Sequence, residues 1–188
     1  MERHLPGRGS SDRLNGYDHP IVTAPGVDLR RATVADAPAM AVAHVDSIRS
    51  LGPAYYDAEA VDAWAAAVRP QMYLDAMAAG EVFFIAIGAV EGQSAVLGFA
   101  SHRPDADEDS VSVYVRGAAA RQGLGSALLQ MAERHARDHG VAVVTIEASL
   151  AGVAFYRRHG FYEVERGAAR LTNGALIPCV VMRKGLAA

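Results

Sequence analysis

Three residue types are nearly missing from this sequence of 188 residues, which has one cysteine, Cys179, one lysine, Lys184, and one tryptophan, Trp64. A single cysteine forms no internal disulfide, which excludes a disulfide-stapled fold and agrees with a reducing, cytoplasmic setting. An excess of positive charge is missing too. With 18 basic against 21 acidic residues, the net charge of -3 leaves little to neutralise a phosphate backbone, so nucleic acid is not expected as a partner. The longest apolar run, Val82 to Val90, is about half the ~20 residues a membrane helix needs, so no membrane partner is expected. The N-terminal stretch beginning at Met1 lacks the apolar core of an export signal. What is present is ordinary: 51% hydrophobic and 21% charged residues suit a folded globular chain, and small molecules become the default ligands.

Residues 1–26 mix Gly, Pro, Ser, Asp and Arg without apolar periodicity and read as a tail or surface arm. From Val27 onward no second linker and no repeat interrupts the pattern, so residues 27–188 are expected to form a single domain of α/β (α+β) class. Val27 to Ala32 reads as a first strand, and Thr33 with Asp36 opens a helix to about Arg49. Asp57 caps a second helix over 58–68, ended by Pro70, and a shorter helix follows over 71–79. Strands over 81–90 and 95–103 form a hairpin about the turn Glu91-Gly92-Gln93-Ser94, and the alternation of Val111, Val113 and Val115 marks a fourth strand. Leu124, Leu128, Met131 and Ala132 then give helical spacing up to Gly140. A strand over 141–146, a short helix over 151–159 and two strands over 161–166 and 177–184 complete the order.

Chemistry concentrates where the fourth strand meets the strongest helix, in Ala120-Arg121-Gln122-Gly123-Leu124-Gly125-Ser126. Gly123 and Gly125 let a ligand approach the backbone closely, and the first N-H groups of a helix have no intrahelical acceptor, so the segment can hold an anionic phosphate. A P-loop would need Gly-Lys-Ser/Thr, and a dinucleotide fingerprint would need a third glycine in an opening βαβ unit; neither is present.

The segment is similar to the pyrophosphate loop of the GCN5-related N-acetyltransferases, Gln/Arg-x-x-Gly-x-Gly/Ala, with Ala120 at the first position and Arg121 displaced by one. Glu147 to Phe161 resembles the same family's strand, helix and Phe-Tyr-x-x-x-Gly-Phe ending, with Ala151 where many relatives carry Asn. The resemblance runs from about Leu29 to Lys184. It implies a mixed sheet of about seven strands, splayed between the fourth and fifth and flanked by about four helices, with acetyl-CoA as cosubstrate in the opening.

The resemblance further implies that Val113, Tyr114 and Val115 face the thioester, that Arg121 to Ser126 meet the pyrophosphate, and that Ala151 lies along the pantetheine. Tyr156 takes the family's general-acid position. Asp109 or, as its rival, Glu147 is the base, and Asp46, Ser47, Tyr55, Tyr56 and Trp64 line the acceptor side. The expected activity is direct acetyl transfer to the amine of a small molecule. A non-catalytic acyl-CoA sensor and an enzyme acting on a protein or aminoacyl-tRNA amine are the alternatives, and a homodimer is compatible with the resemblance. Cys179 sits in an apolar strand and is read as inert, not as an acyl carrier. His135 and His139 lack the His-Glu-x-x-His pattern, so no metal is expected. His44 faces either the acceptor cleft or the core.

Overall fold

A computed structural model describes residues 26–105 and 107–186; the reading of a tail at the N-terminus falls almost wholly outside them. The chain runs β1 (Asp28–Arg31), α1 (Ala37–Leu51), α2 (Ala58–Ala67), α3 (Pro70–Ala78), β2 (Val82–Val90), β3 (Gln93–Arg103), β4 (Ser110–Val115), α4 (Leu124–Asp138), β5 (Val143–Ser149), α5 (Val153–Arg158), β6 (Tyr162–Arg170) and β7 (Leu176–Gly185). The strands form one sheet in the order β1-β2-β3-β4-β5-β7-β6. Its neighbours pair antiparallel except β4 and β5, which are parallel and share the single register pair Ser110 with Thr145.

Helices cover both faces of the sheet. Phe84, Ala100, Val111, Val144 and Met182 pack with Leu128 and Leu129 of α4, whereas Phe83, Ile85 and Phe99 pack with Met40 and Ile48 of α1 and Tyr73 of α3. Strand β2 therefore buries both of its sides, which is why its sequence reads as a continuous apolar run instead of an alternation.

Local chemistry sets the boundaries. Asp57 caps α2 as expected, accepting the Ala60 N-H at 2.8 Å. Pro70 does not end that helix. The chain turns extended at Val68, and Pro70 occupies the first turn of α3, where a missing N-H costs nothing. The β2–β3 turn is tighter than the four residues expected: Glu91 and Gly92 both have positive φ, 51° and 78°, and Val90 pairs directly with Gln93. Two left-handed residues make the turn whose twist matches the flanking strands. Near the N-terminus Asp36 does not open α1 directly. It closes a short 3-10 turn, accepting the Thr33 N-H at 2.7 Å and two Arg30 bonds at 2.7 and 2.8 Å, and α1 starts at Ala37.

Candidate active site

Beyond the Ser110–Thr145 pair, anchored by the Thr145 N-H on the Asp109 carbonyl at 2.9 Å, β4 and β5 part company. The parting opens a cleft of about 1480 Å³, walled by Ser112 to Val115 on one side and Ile146 to Ser149 on the other. Small-molecule pockets usually hold ~300–1,000 Å³, so this one has room for two reactants.

The start of α4 lies on the cleft. Gly123 is its N-cap, with φ +84° and no side-chain cap on the first-turn N-H groups. A Cβ at Gly123 would meet no protein atom within 4 Å, so the space above the cradle is open. Gly125 has a different reason to be glycine: a Cβ there would stand 3.3 Å from Phe155 Cε2, and its absence lets α4 approach α5. Arg121, also left-handed at φ 62°, and Ser126 line the cleft. Leu124 and Gln122 do not: Leu124 is only 7% exposed and belongs to the core, and the Gln122 amide bonds the Ala118 carbonyl at 2.9 Å. Their share in an anion cradle would be confined to backbone N-H groups.

Sequence reasoning missed what fixes this loop. Asp46, expected on the acceptor side, instead accepts the Gly117 N-H at 2.9 Å and meets Arg116 at 3.4 Å, pinning the exit of β4 to α1. Gly117 is required there, because a Cβ would fall 2.4 Å from Ser50 Cβ. Nothing in the local sequence reveals a partner 71 residues upstream.

Tyr156 lines the cleft with its ring almost wholly buried, 4% exposed and held edge-on by Phe155 and Phe161 at 5.1 and 5.3 Å. Burial raises its phenol pKa well above the usual value, with Tyr114 adding to the effect and the Val113 backbone N-H opposing it. The hydroxyl therefore keeps its proton through the neutral range.

The two candidate bases lie on different faces. Glu147 lines the cleft from β5. Asp109 does not, and strand parity explains why: it shares the side of Val111, which packs under α4, whereas Tyr114 packs with α1. Its carboxylate meets His102 Nε2 at 2.7 Å, and His102 Nδ1 meets His135 Nδ1 at 2.9 Å. Asp109→Asn is therefore expected to lower the melting temperature while kcat stays within about twofold, since disturbing the hydrogen bond that holds the buried His102 is a stability effect. Steady-state kinetics beside a thermal melt checks this. Among the described residues no cluster of three or more His, Cys, Asp or Glu side chains is arranged to hold a metal.

Ser47, Tyr55, Trp64 and Ala151 all line the cleft, with Tyr55 at 53% exposure. Tyr56 is not among the lining residues; its hydroxyl donates to the Pro178 carbonyl and accepts the Leu150 N-H, both at 2.8 Å, and so ties β7 to the end of β5. His44 resolves toward both of its alternatives: it is 5% exposed and also lines the cleft. Its Nδ1 meets the Tyr73 hydroxyl at 2.7 Å, its ring lies 3.7 Å from that of Tyr114, and its Nε2 is buried without a partner. An unserved buried polar atom costs roughly 1–3 kcal/mol.

Burial lowers the His44 pKa to about 3, so the folded protein holds it neutral. The unfolded chain, with histidine near ~6.5, takes up a proton that the native state refuses, and stability falls as pH drops below that value. His44 alone should then remove about 2 kcal/mol between pH 7 and pH 5. Denaturant unfolding at both pH values checks this, with His44→Phe expected to flatten the dependence.

A splayed mixed sheet with an open helix N-terminus at the mouth of the splay defines the acyltransferase architecture that the sequence resembles. The family profile described as the acetyltransferase (GNAT) domain matches residues 53–186. The chain belongs to the GNAT acetyltransferase family. Among solved structures it is similar to a GCN5-related N-acetyltransferase from Rhodopseudomonas palustris, at 25% identity and a TM-score of 0.72 over 87% of this chain and 98% of that one. It is also similar to the ribosomal-protein-alanine N-acetyltransferase of Brucella melitensis, at 27% identity and a TM-score of 0.56 over 84% and 98%. The PaiA N-acetyltransferase of Thermoplasma acidophilum, solved with coenzyme A, shares the fold at 15% identity and a TM-score of 0.66 over 85% and 98%. No curated protein matches the chain.

Proposed function

We propose that the protein is an acetyl-CoA-dependent N-acetyltransferase that passes the acetyl group directly to the amine of a small molecule. The observation that carries this reading is the opening of one cleft onto the bare N-terminus of α4, the strand Val113–Val115 and Tyr156 together. The fit to acetyl-CoA rests on Gly123, whose left-handed backbone and empty Cβ direction leave a cradle for a diphosphate. Coenzyme A in the similar PaiA structure supports it.

When bound, acetyl-CoA supplies an activated acetyl carbon and a thiolate leaving group. Past Ser110 the inner edge of β4 is free of β5, so backbone groups of Val113 to Val115 are available to orient the carrier and polarise the carbonyl. Glu147 takes the proton lost by the amine as nitrogen bonds to carbon, and the Tyr156 hydroxyl gives its proton to sulfur as the carbon–sulfur bond breaks. Cys179 is a poor acyl carrier even though it lines the cleft, because burial and the nearby Glu147 push its thiol pKa up and keep it protonated.

Thiol release from acetyl-CoA, followed across amines and a peptide with an N-terminal alanine, tests the reading. Release that depends on a small amine is the expected result. Tight binding without release would make the protein an acyl-CoA-binding module, and release with the peptide alone would move the acceptor to protein.

A further inference from the structure

Among the described residues, His44 Nε2 is the sole buried side-chain nitrogen or oxygen that finds no hydrogen-bond partner. The rest of the ring is fixed. Tyr73 holds Nδ1 at 2.7 Å, Tyr114 lies against the ring face at 3.7 Å, and Trp64 and Phe99 stand edge-on at 6.4 and 5.8 Å. A phenyl ring would fill the same space but would strip the Tyr73 hydroxyl of its partner, so Nδ1 has a reason to be there, whereas Nε2 has none among the described residues. Nε2 therefore calls for a partner that the described residues do not provide, and the ring belongs to the wall of the cleft.

We propose that this partner is the acceptor: His44 Nε2 receives a hydrogen bond from the acceptor nitrogen, and the acceptor is a primary monoamine on an apolar body of about aromatic size. The proposal rests on the acetyl-transfer reading and adds the acceptor's chemistry to it. A neutral imidazole has one donor and one acceptor nitrogen, and one arrangement is productive. With the proton on Nδ1 and bonded to the Tyr73 oxygen, Nε2 offers a lone pair to an amine N-H and leaves the amine's own lone pair free to attack. The reverse tautomer would donate to that lone pair and block it. Burial favours the required uncharged ring, because it holds the His44 pKa near about 3.

The walls select the rest of the acceptor. Beside His44 stand the rings of Trp64, Phe99 and Tyr114, which match a flat apolar body. The lining of the cleft carries only two carboxylates, Glu81 and Glu147, and Glu147 serves the reacting amine, so the further charges of a polycation find few anionic partners. His44 acts as a specificity-determining residue that orients the nitrogen, and Glu147 and Tyr156 keep the proton-handling roles.

The test uses the full chain with 2-phenylethylamine, spermidine and acetyl-CoA. His44→Phe should lower kcat/KM for 2-phenylethylamine about tenfold or more, the value of one lost hydrogen bond, with the KM for acetyl-CoA and its calorimetric affinity unchanged. Tyr73→Phe, which leaves Nδ1 unpartnered, should lower the same parameter with the same split. Wild-type kcat/KM in His44→Phe would overturn the assignment, and spermidine used as well as 2-phenylethylamine would overturn the acceptor class. Should His44→Phe fail to fold, nitrogen-15 spectra of the wild-type protein with coenzyme A bound decide the matter. The His44 Nε2 resonance is expected to move on adding 2-phenylethylamine, and a resonance that stays put up to millimolar amine would overturn the proposal. That spectrum reads amine binding without turnover, so failure of the His44 assignment is distinguishable from failure of acetyl transfer.

Discussion

Gly123→Val is expected to abolish measurable acetyl-CoA binding while the sheet stays folded. At φ +84° a β-branched residue is strained by its own backbone, at a cost of about 1–2 kcal/mol or more. The chain has two ways to respond. If the backbone keeps its shape, the valine methyl groups stand in the cradle, where no protein atom lies within 4 Å of a Cβ and the ligand needs the space. If the backbone relaxes to negative φ, the first N-H groups of α4 turn away from the phosphates. Losing two charge-assisted hydrogen bonds by either route weakens binding about 100-fold or more. Because the added side chain strikes nothing in the protein, the melting temperature should fall by only a few degrees, the amount that ~1–2 kcal/mol gives a domain of this size. Calorimetry with acetyl-CoA beside a thermal melt separates the two effects. Wild-type affinity in a folded Gly123→Val protein would remove the phosphate cradle from this position. Gly125→Val is a less clean probe, since its Cβ meets Phe155 at 3.3 Å and would disturb α5 as well as the ligand.

The element order was legible because periodicity and local caps carry it. Asp57 capping α2, Gly140 at φ +79° closing α4 and the alternation through β4 are all properties of a few neighbouring residues. The same locality sets the limit. Alternation assigns Val111 and Tyr114 to opposite faces but does not say which face is the cleft, and Asp109 could be placed away from it only once α4 and α1 had taken their sides. Asp46 and Tyr56 read as acceptor-side residues for the same reason. Their backbone partners, Gly117, Pro178 and Leu150, are all distant in sequence and are groups that almost any residue would offer. The burial of His44 was hidden by α1 itself, whose many alanines give it little amphipathic contrast, so the helix does not advertise an inward face. Gly123 was legible and Gly117 was not: a glycine at a helix start has a local reason, whereas one that clears Ser50 has a tertiary reason.

Tyr156→Phe should lower kcat about 100-fold or more, the range for loss of a positioned general acid, and leave acetyl-CoA affinity within about threefold. The substitution isolates the hydroxyl. Phenylalanine keeps the ring that Phe155 and Phe161 clasp edge-on, so the cleft wall and the core beneath it retain their packing. The buried position fixes the protonation state. Desolvation raises the Tyr156 pKa far enough that the group remains a phenol wherever the protein is folded and active, and it cannot cause a loss of rate on the alkaline side below pH ~10. A rate that declines nearer neutrality must then come from another group, and the Tyr156→Phe profile should run parallel to that of the wild type at a lower level. A purely structural tyrosine predicts the opposite pattern. With the ring retained, kcat would hold while the melting temperature moved, because the hydroxyl would then matter only through its contacts around Val113. Single-turnover thiol release by the two proteins, measured at saturating donor and acceptor, distinguishes these outcomes because neither substrate binding nor product release contributes to that rate.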